Sequence, residues 1–476
     1  MQESASSRRH KAEQEERENG AAQESILVRH LAMRTKPAGI VRFKTFFLNT
    51  ILDVMLSRGW KQITEDSGWD IYWCDVGWMR EQFDSTYLPE HARVCHFRNH
   101  YELTRKDMVA KNLKRYKKEL ERSCASATPA AAASKRPPLL GGGMPLAVAA
   151  NVSSSSASSG YPPGVPASSM GTFPSSAPGG GAASSTPVSA PNPIASTFNP
   201  SSFAVSVTGQ VRLRVDFLPT TFKLPSEYRM FVEEFKKNPS SAWIMKPVGS
   251  SQGKGIFLVT KLSQLGEWKA DNRFTGEELD EEEKPAEYIV QKYVENPYLV
   301  GGKKFDLRIY CLVTSFQPLR AWLYREAFAR FTFQRYTMDD LSNTVVHLTN
   351  VAIQKKSSEY DKSKGCKWMF CDLKRHLITM HGKAAVEEMV RNIDNIILTC
   401  LHSVQKIMIN DRHCFELYGF DILLDGNLKP WLMEVNASPS LTADTHSDYK
   451  LKFRMLNDMF NVIDMEKRSV LLKVTK

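Results

Sequence analysis

The chain has 476 residues, enough for two or three domains, and carries a formal net charge of +11 with a pI near 9.1. A positive excess of this size favours an acidic partner, such as nucleic acid, an anionic membrane or an acidic protein tail. The sequence has no apolar run long enough for a transmembrane helix, and its first 20 residues lack the apolar core of a signal peptide. The eight cysteines are widely spread, which favours reduced thiols in the cytoplasm over a disulfide framework.

Composition divides the chain into segments. Residues 1–38 are charged and aperiodic, and residues 123–209 are rich in Ala, Ser, Pro and Gly, so a disordered tail and a disordered linker or insertion are predicted. Folding signals cover residues 39–122 and 210–465, where strand-like apolar runs alternate with helical stretches. Residues 466–476 form a basic C-terminal tail. The pattern predicts an α+β protein.

The first folded block contains two helical signals. Phe43, Phe47, Ile51 and Met55 recur at helical spacing and predict a helix. Residues 101–122 predict a second helix with a basic face. Its basic side chains are Lys111, Lys114, Arg115, Lys117 and Lys118. Such a run either attracts an acidic partner or is simply one solvated helix face.

The clearest chemical signal is a hairpin over residues 418–436. Two apolar runs flank a turn predicted at Gly426–Lys429, and counting back from that turn sets Asp421 directly opposite Glu434. Asn436 shares a strand face with Glu434 because side chains alternate with a period of two. Carboxylate and amide oxygens are ligands that Mg²⁺ prefers, so the hairpin predicts a magnesium site. The alternative, a solvated edge hairpin with incidental acids, is disfavoured by its many apolar side chains.

A glycine-rich loop, residues 249–255, follows a strand that contains Lys246. Backbone amides in a loop of small residues can approach phosphate oxygens closely. The loop is not a Walker A motif, because three residues rather than four separate the glycines and Gly255 follows the lysine. A strand on either side favours a lid over phosphates, with an ordinary hairpin as the alternative.

Two further strands carry polar groups at regular positions. Gln291–Val294 ends an apolar run, where extended backbone could offer donors and acceptors to an adenine edge or merely end a strand. Lys304, Asp306 and Arg308 share one strand face, and Phe305 lies on the other. That charged face suits either a solvated strand or a floor that meets polyphosphate and metal.

Isolated donors follow, together with one set of possible zinc ligands. Arg330 could hold a carboxylate or phosphate in a bidentate pair, and His347–Lys355 supplies further donors. The possible zinc ligands recur every five residues at Cys366, Cys371, His376 and His381. That spacing fits neither a zinc finger nor one helix face, so zinc is not predicted.

Together these motifs resemble the ATP-grasp catalytic module of the tubulin–tyrosine-ligase-like family. The matching segments of the second folded block are Trp243–Pro247, Ser251–Ile256, Gln291–Tyr293, Lys304–Arg308, His347–Asn350 and Trp431–Ser440. Those of the first block are Trp69–Trp73, His96–Asp107 and Lys111–Arg115. The resemblance covers residues 41–122 and 211–465, with the motifs in the family's order.

The resemblance implies an ATP-grasp fold, with residues 210–320 as its central lobe and 321–465 as its C-terminal catalytic lobe. A smaller N-terminal α/β domain would occupy residues 39–122. The implied activity uses ATP and Mg²⁺ to add glutamate to glutamate side chains of tubulin C-terminal tails through an acylphosphate. Within the family, the chain is most similar to the polyglutamylases of cilia and basal bodies. A place in the cytoplasm and cytoskeleton, on axonemes and basal bodies, is therefore expected, with no nucleic acid and no membrane insertion.

Site residues are implied by motif. The implied ATP contacts are Lys246, Gln252, Gly253, Lys254, Gln291, Lys292, Tyr293, Val294, Lys304, Phe305, Asp306, Thr349 and Asn350. The implied magnesium ligands are Asp421, Glu434 and Asn436. The implied catalytic residues are Arg330 and Lys367, which would hold the incoming amino acid, together with Asn350 and Glu434.

One departure from the family pattern concerns the donor amino acid. Val351 and Ala352 follow Asn350, where many glutamylases have Tyr and Ser. The change removes two polar side chains, so a glycine donor, a small-molecule acceptor and a need for accessory subunits stay open. A non-catalytic scaffold has no need of the intact metal ligands, and nucleic-acid binding would rest on charge alone.

Overall fold

The computed structural model describes residues 39–126, 215–249, 253–265, 287–361 and 366–467. Within them, helices are combined with three β-sheets, which confirms the predicted α+β content. The predicted N-terminal tail, most of the predicted linker and of the C-terminal tail, and Gln252 lie outside the described residues.

The first sheet is parallel and belongs to the N-terminal block. Its strands, in the spatial order β2-β1-β3-β4, are β1 (Arg42–Thr45), β2 (Lys61–Gln62), β3 (Ile71–Trp73) and β4 (Arg93–Val94). Its helices are α1 (Thr50–Ser57), α2 (Val76–Glu81), α3 (Tyr101–Thr104) and α4 (Lys106–Ser126), with a 3₁₀ turn at Phe83–Ser85. The helix predicted from Phe43 to Met55 is confirmed for Ile51 and Met55, which lie in α1. It is wrong for Phe43, which is fully buried in β1, where strand pairing on both sides outweighs local spacing.

The second sheet is antiparallel and has its own hydrophobic core. Its strands, in the order β5-β8-β6-β7, are β5 (Thr221–Leu224), β6 (Trp243–Pro247), β7 (Phe257–Val259) and β8 (Tyr288–Lys292). Helix α5 (Tyr228–Lys237) buries Phe231 and Phe235 against it, and a 3₁₀ turn spans Leu262–Leu265. The glycine-rich loop joins β6 to β7, so the prediction of a strand on either side is confirmed.

The third sheet is the largest, and it is built around one long strand. Its strands are β9 (Leu299–Val300), β10 (Lys303–Phe316), β11 (Leu319–Leu323), β12 (Phe328–Phe331), β13 (Lys367–Met369), β14 (Glu416–Leu424) and β15 (Pro430–Asn436). They follow the antiparallel order β13-β12-β10-β14-β15, with β9 and β11 also paired to β10. The chain leaves the second sheet at Lys292 and enters the third at Leu299, well before the lobe boundary expected at residue 320.

Helices flank the third sheet and connect it to the N-terminal block. They are α6 (Thr344–His347), α7 (Val351–Gln354), α8 (Phe370–His381), α9 (Lys383–Gln405) and α10 (His446–Ile463). The first and third sheets share one hydrophobic core, in which the Phe460 ring lies 4.9 Å from Trp60 and 6.4 Å from Trp73. The N-terminal block is therefore fixed to the third sheet. In the part of the chain that the structure describes, no helix is long and apolar enough to cross a membrane.

Candidate active site

Hairpin β14–β15 positions the three predicted metal ligands. Asp421 pairs directly with Glu434, so the predicted register is confirmed. The turn itself differs from the prediction, because it is one residue shorter: the Asp425 amide donates to the carbonyl of Lys429 at 3.0 Å. A β-bulge at Met433 then shifts the register and restores the pairing of the two acids.

Asp421 belongs to a buried network of ion pairs on β10, β12 and β14. Arg308, its register partner on β10, donates from Nε to Oδ1 and from Nη2 to Oδ2 at 2.9 Å. Arg330 Nη2 forms an ion pair with the same Oδ2 at 2.8 Å, while Arg330 donates to Asp306 from Nη2 and, at 2.7 Å, from Nε. The Thr349 hydroxyl also donates to Asp306. Burial alone would raise the pKa of Asp421, but the two guanidinium groups outweigh it and hold that pKa well below its ordinary value. Asp421 is therefore ionised at neutral pH.

Glu434 is in the opposite electrostatic situation. Burial raises the pKa of its carboxyl group, and the Asp421 carboxylate raises it further. The Nζ atom of Lys106 lies 4.0 Å from its Oε2 and offsets this only in part. Glu434 therefore holds its proton more strongly than an exposed glutamate does, and a cation bound beside it would favour its ionised form.

This donor set fits a divalent cation. The Asn436 amide nitrogen donates to the carbonyl of Gly419 at 3.2 Å, which leaves its oxygen as the ligand atom beside the two carboxylates. Among the described residues, no group of three or more His, Cys, Asp and Glu side chains is placed to hold a metal, so an amide is needed to complete this set. Two carboxylates and one amide oxygen suit a cation that keeps some ligand positions for water or phosphate.

Two buried lysines line the same cleft, Lys246 on β6 of the second sheet and Lys304 on β10 of the third. Lys246 donates to Gln291 Oε1 at 2.7 Å, and Lys304 donates to the Tyr293 hydroxyl at 2.9 Å and to the His347 carbonyl at 2.8 Å. Burial lowers the pKa of Lys246 to about 8 and that of Lys304 to about 7, despite nearby carboxylates that raise both values. An anion bound beside them would restore their charge, so this part of the cleft is suited to phosphate oxygens.

These groups line one cleft of about 520 Å³ between the second and third sheets. The predicted ATP and metal contacts found in its wall are Lys246, Gly253, Gln291, Lys292, Tyr293, Val294, Lys304, Asp306, Thr349, Asn350, Asp421, Glu434 and Asn436. Segments far apart in the sequence are therefore brought together around one space. Two of the backbone donors predicted for adenine are already used, because the amides of Lys292 and Tyr293 bond to carbonyls within the fold.

Gly253 closes one side of the cleft against α7. Its φ angle is +78°, which favours glycine, and a Cβ atom there would lie 2.4 Å from Ile353 Cδ1. The same atom would lie 3.6 Å from the side-chain oxygen of Asn350. The loop therefore needs glycine at this position for both its backbone angle and its close approach.

Some predicted contacts lie elsewhere. Phe305 is buried in the core with its ring 5.0 Å from that of Phe331, so its predicted contact with ATP is wrong for the side chain. The reason is the alternation along β10, which turns Phe305 away from the face that carries Lys304. Lys254 is exposed and does not line the cleft, so its phosphate contact stays a prediction.

The two predicted donor contacts, Arg330 and Lys367, are register partners across β12–β13 and lie behind the cleft wall. Arg330 is held by the two aspartates of the buried network rather than by open space. Lys367 donates to Asp444 at 2.8 Å and to Asp448 at 2.6 Å. Both cations therefore have internal carboxylate partners in this structure.

The N-terminal block contributes to the cleft, which the sequence did not predict. Val76, His100, Thr104 and Lys106 all line it. The sequence signal for this wall is the motif His96–Asp107, one of the segments that resemble the family. The cleft thus has three walls, from the second sheet, the third sheet and the N-terminal block.

A buried His–Glu pair attaches the N-terminal block next to the hairpin. His96 Nδ1 lies 2.8 Å from Glu416 Oε1 at the start of β14, and the Phe97 amide donates to the other oxygen at 3.2 Å. Burial would lower the pKa of His96, but the Glu416 carboxylate outweighs it and raises that pKa. His96 Nε2 also lies 3.4 Å from the hydroxyl of Ser438, just beyond β15.

The basic helix is confirmed as α4, and it borders a second groove of about 710 Å³ next to β5. Lys114 pairs there with Glu227 at 3.1 Å, and Arg115 donates to the carbonyl of Ser403 at 2.7 Å. Lys111 and Lys118 line the groove as exposed side chains. Part of the basic run is therefore structural, and part is available to an acidic partner.

Comparison with known proteins agrees with these motifs. The model of the family described as "Tubulin-tyrosine ligase family" matches residues 194–470. "Probable tubulin polyglutamylase TTLL9" of Bos taurus is 42% identical over 455 residues, which cover 90% of this chain and 80% of that protein.

Two relatives with lower sequence identity also align over most of both chains. "Probable tubulin polyglutamylase ttll-9" of Caenorhabditis elegans is 40% identical over 90% of this chain and 82% of its own length. "Probable alpha-tubulin polyglutamylase Ttll1" of Tetrahymena thermophila is 37% identical over 89% of this chain and 86% of its own length. The family match and these long alignments show that the chain belongs to the tubulin-tyrosine ligase family.

Proposed function

We propose that this chain is an ATP-dependent tubulin polyglutamylase, which joins glutamate to glutamate side chains in tubulin C-terminal tails. The observation that carries the proposal is the cleft, which the Asp421–Glu434 pair lines together with the buried Lys246 and Lys304. Carboxylates that can hold a metal ion and cations that can neutralise phosphate oxygens, brought together in one cleft, are suited to a metal-bound polyphosphate. The relatives named as tubulin polyglutamylases support the choice of tubulin as the acceptor.

The second and third sheets correspond to the central and C-terminal lobes of an ATP-grasp fold in this proposal. ATP would lie between them, with its phosphates near Lys246 and Lys304 and its base near Gln291–Val294. Gly253 would cover the phosphates, since it already contacts α7 across the cleft. Bound ATP supplies the phosphoryl group that activates the acceptor carboxylate as an acylphosphate.

Magnesium would be held by Asp421, Glu434 and Asn436, and when bound it would supply positive charge beside the phosphates. The chain's own residues prepare this site. Arg308 and Arg330 keep Asp421 ionised and fix its orientation. Lys246 and Lys304 would neutralise charge on the phosphates, so that catalysis depends mainly on positioning and electrostatics.

Arg330 and Lys367 would hold the carboxylate groups of the incoming amino acid. In the described part of the chain, the bonds of Arg330 use Nε and Nη2, so Nη1 is the atom we assign to the donor. Two cations on neighbouring strands favour a dicarboxylic donor, glutamate. Glycine is the second candidate, because Val351 and Ala352 reduce the polar side chains near Asn350.

The acceptor tail would approach along the groove beside α4. Tubulin tails are acidic, and the exposed Lys111 and Lys118 would attract them over a distance that salt shortens. Charge reversal of both lysines to glutamate should weaken microtubule binding at low salt by about tenfold, and should matter less at high salt. Unchanged binding at low salt would contradict this route. Lys114→Glu is a poor substitute, because it would also break the pair with Glu227.

The proposed setting is the cytoplasm and cytoskeleton, on microtubules of the axoneme and basal body, with accessory subunits as possible partners. Fluorescent tagging at the native locus would test it, and a signal confined to compartments without microtubules would contradict it.

The activity test is transfer of labelled glutamate, with labelled glycine in parallel, onto purified microtubules. The protein would be assayed alone and after recovery with its cellular partners, with ATP omitted as the control. ATP-dependent glutamate incorporation supports the proposal, and glycine incorporation would change the donor. Transfer of neither label under both conditions would contradict a tubulin ligase.

A further inference from the structure

His100 is the one cleft-lining histidine of the N-terminal block. Its Nδ1 atom lies 3.2 Å from the carbonyl oxygen of Phe97. A carbonyl can only accept, so Nδ1 carries the hydrogen, and the neutral ring has its lone pair on Nε2. The bond to Phe97 thus fixes a tautomer that presents a proton acceptor on the side of the ring away from Phe97.

His100 belongs to the metal-binding end of the cleft rather than the adenine end. Lys106, six residues further on, places Nζ 4.0 Å from Glu434 Oε2. The His96 ring lies 5.7 Å from the ring of His100, and His96 contacts Ser438 just after β15. Two independent contacts therefore locate this segment beside the end of the hairpin that carries the metal ligands.

Other basic groups in the cleft or next to it already take part in hydrogen bonds within the fold. His96 uses Nδ1 on Glu416 and Nε2 on Ser438. The ammonium protons of Lys246 and Lys304 are donated to Gln291 and to Tyr293, respectively. Of these nitrogen bases, His100 is the one whose hydrogen bond leaves a lone pair for a substrate.

We infer that His100 Nε2 is the general base that deprotonates the α-ammonium group of the incoming amino acid, an inference that rests on the function proposed above. One N–H proton passes to Nε2, and the freed nitrogen lone pair attacks the acyl carbon of the acylphosphate. The C–N bond forms as the bond between the acyl carbon and the phosphate oxygen breaks. The nitrogen then loses a second proton, which leaves with the departing hydrogen phosphate. The imidazolium then returns its proton to water.

The test separates the two halves of the reaction. His100→Asn keeps a donor for the Phe97 carbonyl but has no base, and His100→Gln is a second variant should the first not fold. Each is assayed with a tubulin-tail peptide, Mg-ATP and either glutamate or hydroxylamine. Hydroxylamine is uncharged at neutral pH, so it traps the acylphosphate as a hydroxamate without a base. The variants should lose glutamate transfer by about 10²-fold or more, and should keep hydroxamate formation within about threefold of the wild type.

Tyr101→Phe is the matched control, since Tyr101 is exposed beside His100 and takes no role in the proposal. Glutamate transfer by a folded His100→Asn protein at the wild-type rate would overturn the inference. Equal loss of both products would also overturn it, because His100 would then act before the acylphosphate forms. If the wild type itself makes no hydroxamate, the proposed function has failed instead.

Discussion

Two buried ion networks involve strands of the third sheet and differ in how closely their carboxylates are paired with lysines. In the cleft network, Asp421 is held by two arginines, and the neighbouring Glu434 is left with a raised pKa. The second network, behind β12–β13, is formed by Lys355, Lys367 and Lys452 with Asp444 and Asp448. There every carboxylate has a lysine within 3.0 Å.

The difference lies in how closely each carboxylate is paired. The second network binds the start of α10 to β13, and both of its aspartates have close lysine partners, including Lys367, which is also the proposed donor contact. In the cleft network the nearest lysine to Glu434 is 4.0 Å away, and the pKa of Glu434 is raised. A carboxyl with a raised pKa in an accessible cleft is a mark of function, whereas removal of one partner from a close buried pair destabilises the fold.

The largest effect is expected for Glu434→Gln. Glutamate ligation should fall by about 10²–10³-fold, because the cleft loses one of its two carboxylates. The fold should not be weakened. A carboxyl with a raised pKa destabilises the folded state once pH rises above that pKa, and glutamine removes this penalty. Thermal unfolding without Mg²⁺ checks that the fold is not weakened. Repeating it with Mg²⁺ checks the metal site, since Mg²⁺ should raise the Tm of the wild type and leave that of the variant unchanged.

Asp448→Asn is the matched change in the second network, and it should act on stability. Asp448 is fully buried between Lys367 and Lys452, so the change to asparagine removes the one carboxylate that these two lysines share. The free energy of unfolding should drop by about 3–5 kcal/mol, measured by urea denaturation. A variant as stable as the wild type would show that this network does not stabilise the fold.

Gly253→Ala tests the cover of the cleft. The added methyl group would collide with Ile353, so the KM for ATP should rise by about tenfold. Gly249→Ala is the control, because a Cβ there meets no atom within 4 Å. Equal KM values for the two variants would contradict a role for Gly253 over the nucleotide.

The smallest effect concerns acid stability. Burial would raise the pKa of Asp444, but hydrogen bonds from Lys355 and Lys367 lower it to about 2. Its stabilising contribution is complete above the ordinary aspartate pKa of about 4 and is lost as pH falls through about 2. The stability difference between the wild type and Asp444→Asn should therefore shrink between those values. A constant difference would contradict the pairing.

The sequence predicted the parts of the site that depend on local alternation. Asp421 and Glu434 were placed opposite each other because the hairpin turn and the period of two constrain their register. The ion network could not be predicted, because Arg330 and Asp421 meet through β10, which pairs with strands distant in the sequence. His100 was missed for the same reason, since only the shared core of the first and third sheets brings it to the cleft.

The measurement that tests the central claim most directly is mass spectrometry of a tubulin-tail peptide after incubation with glutamate and Mg-ATP. The wild type, Glu434→Gln and Asp448→Asn would be compared at a temperature where all three are folded. We expect glutamate additions from the wild type and from Asp448→Asn, and none from Glu434→Gln. Additions by Glu434→Gln at the wild-type rate would contradict the assignment of this cleft as the active site.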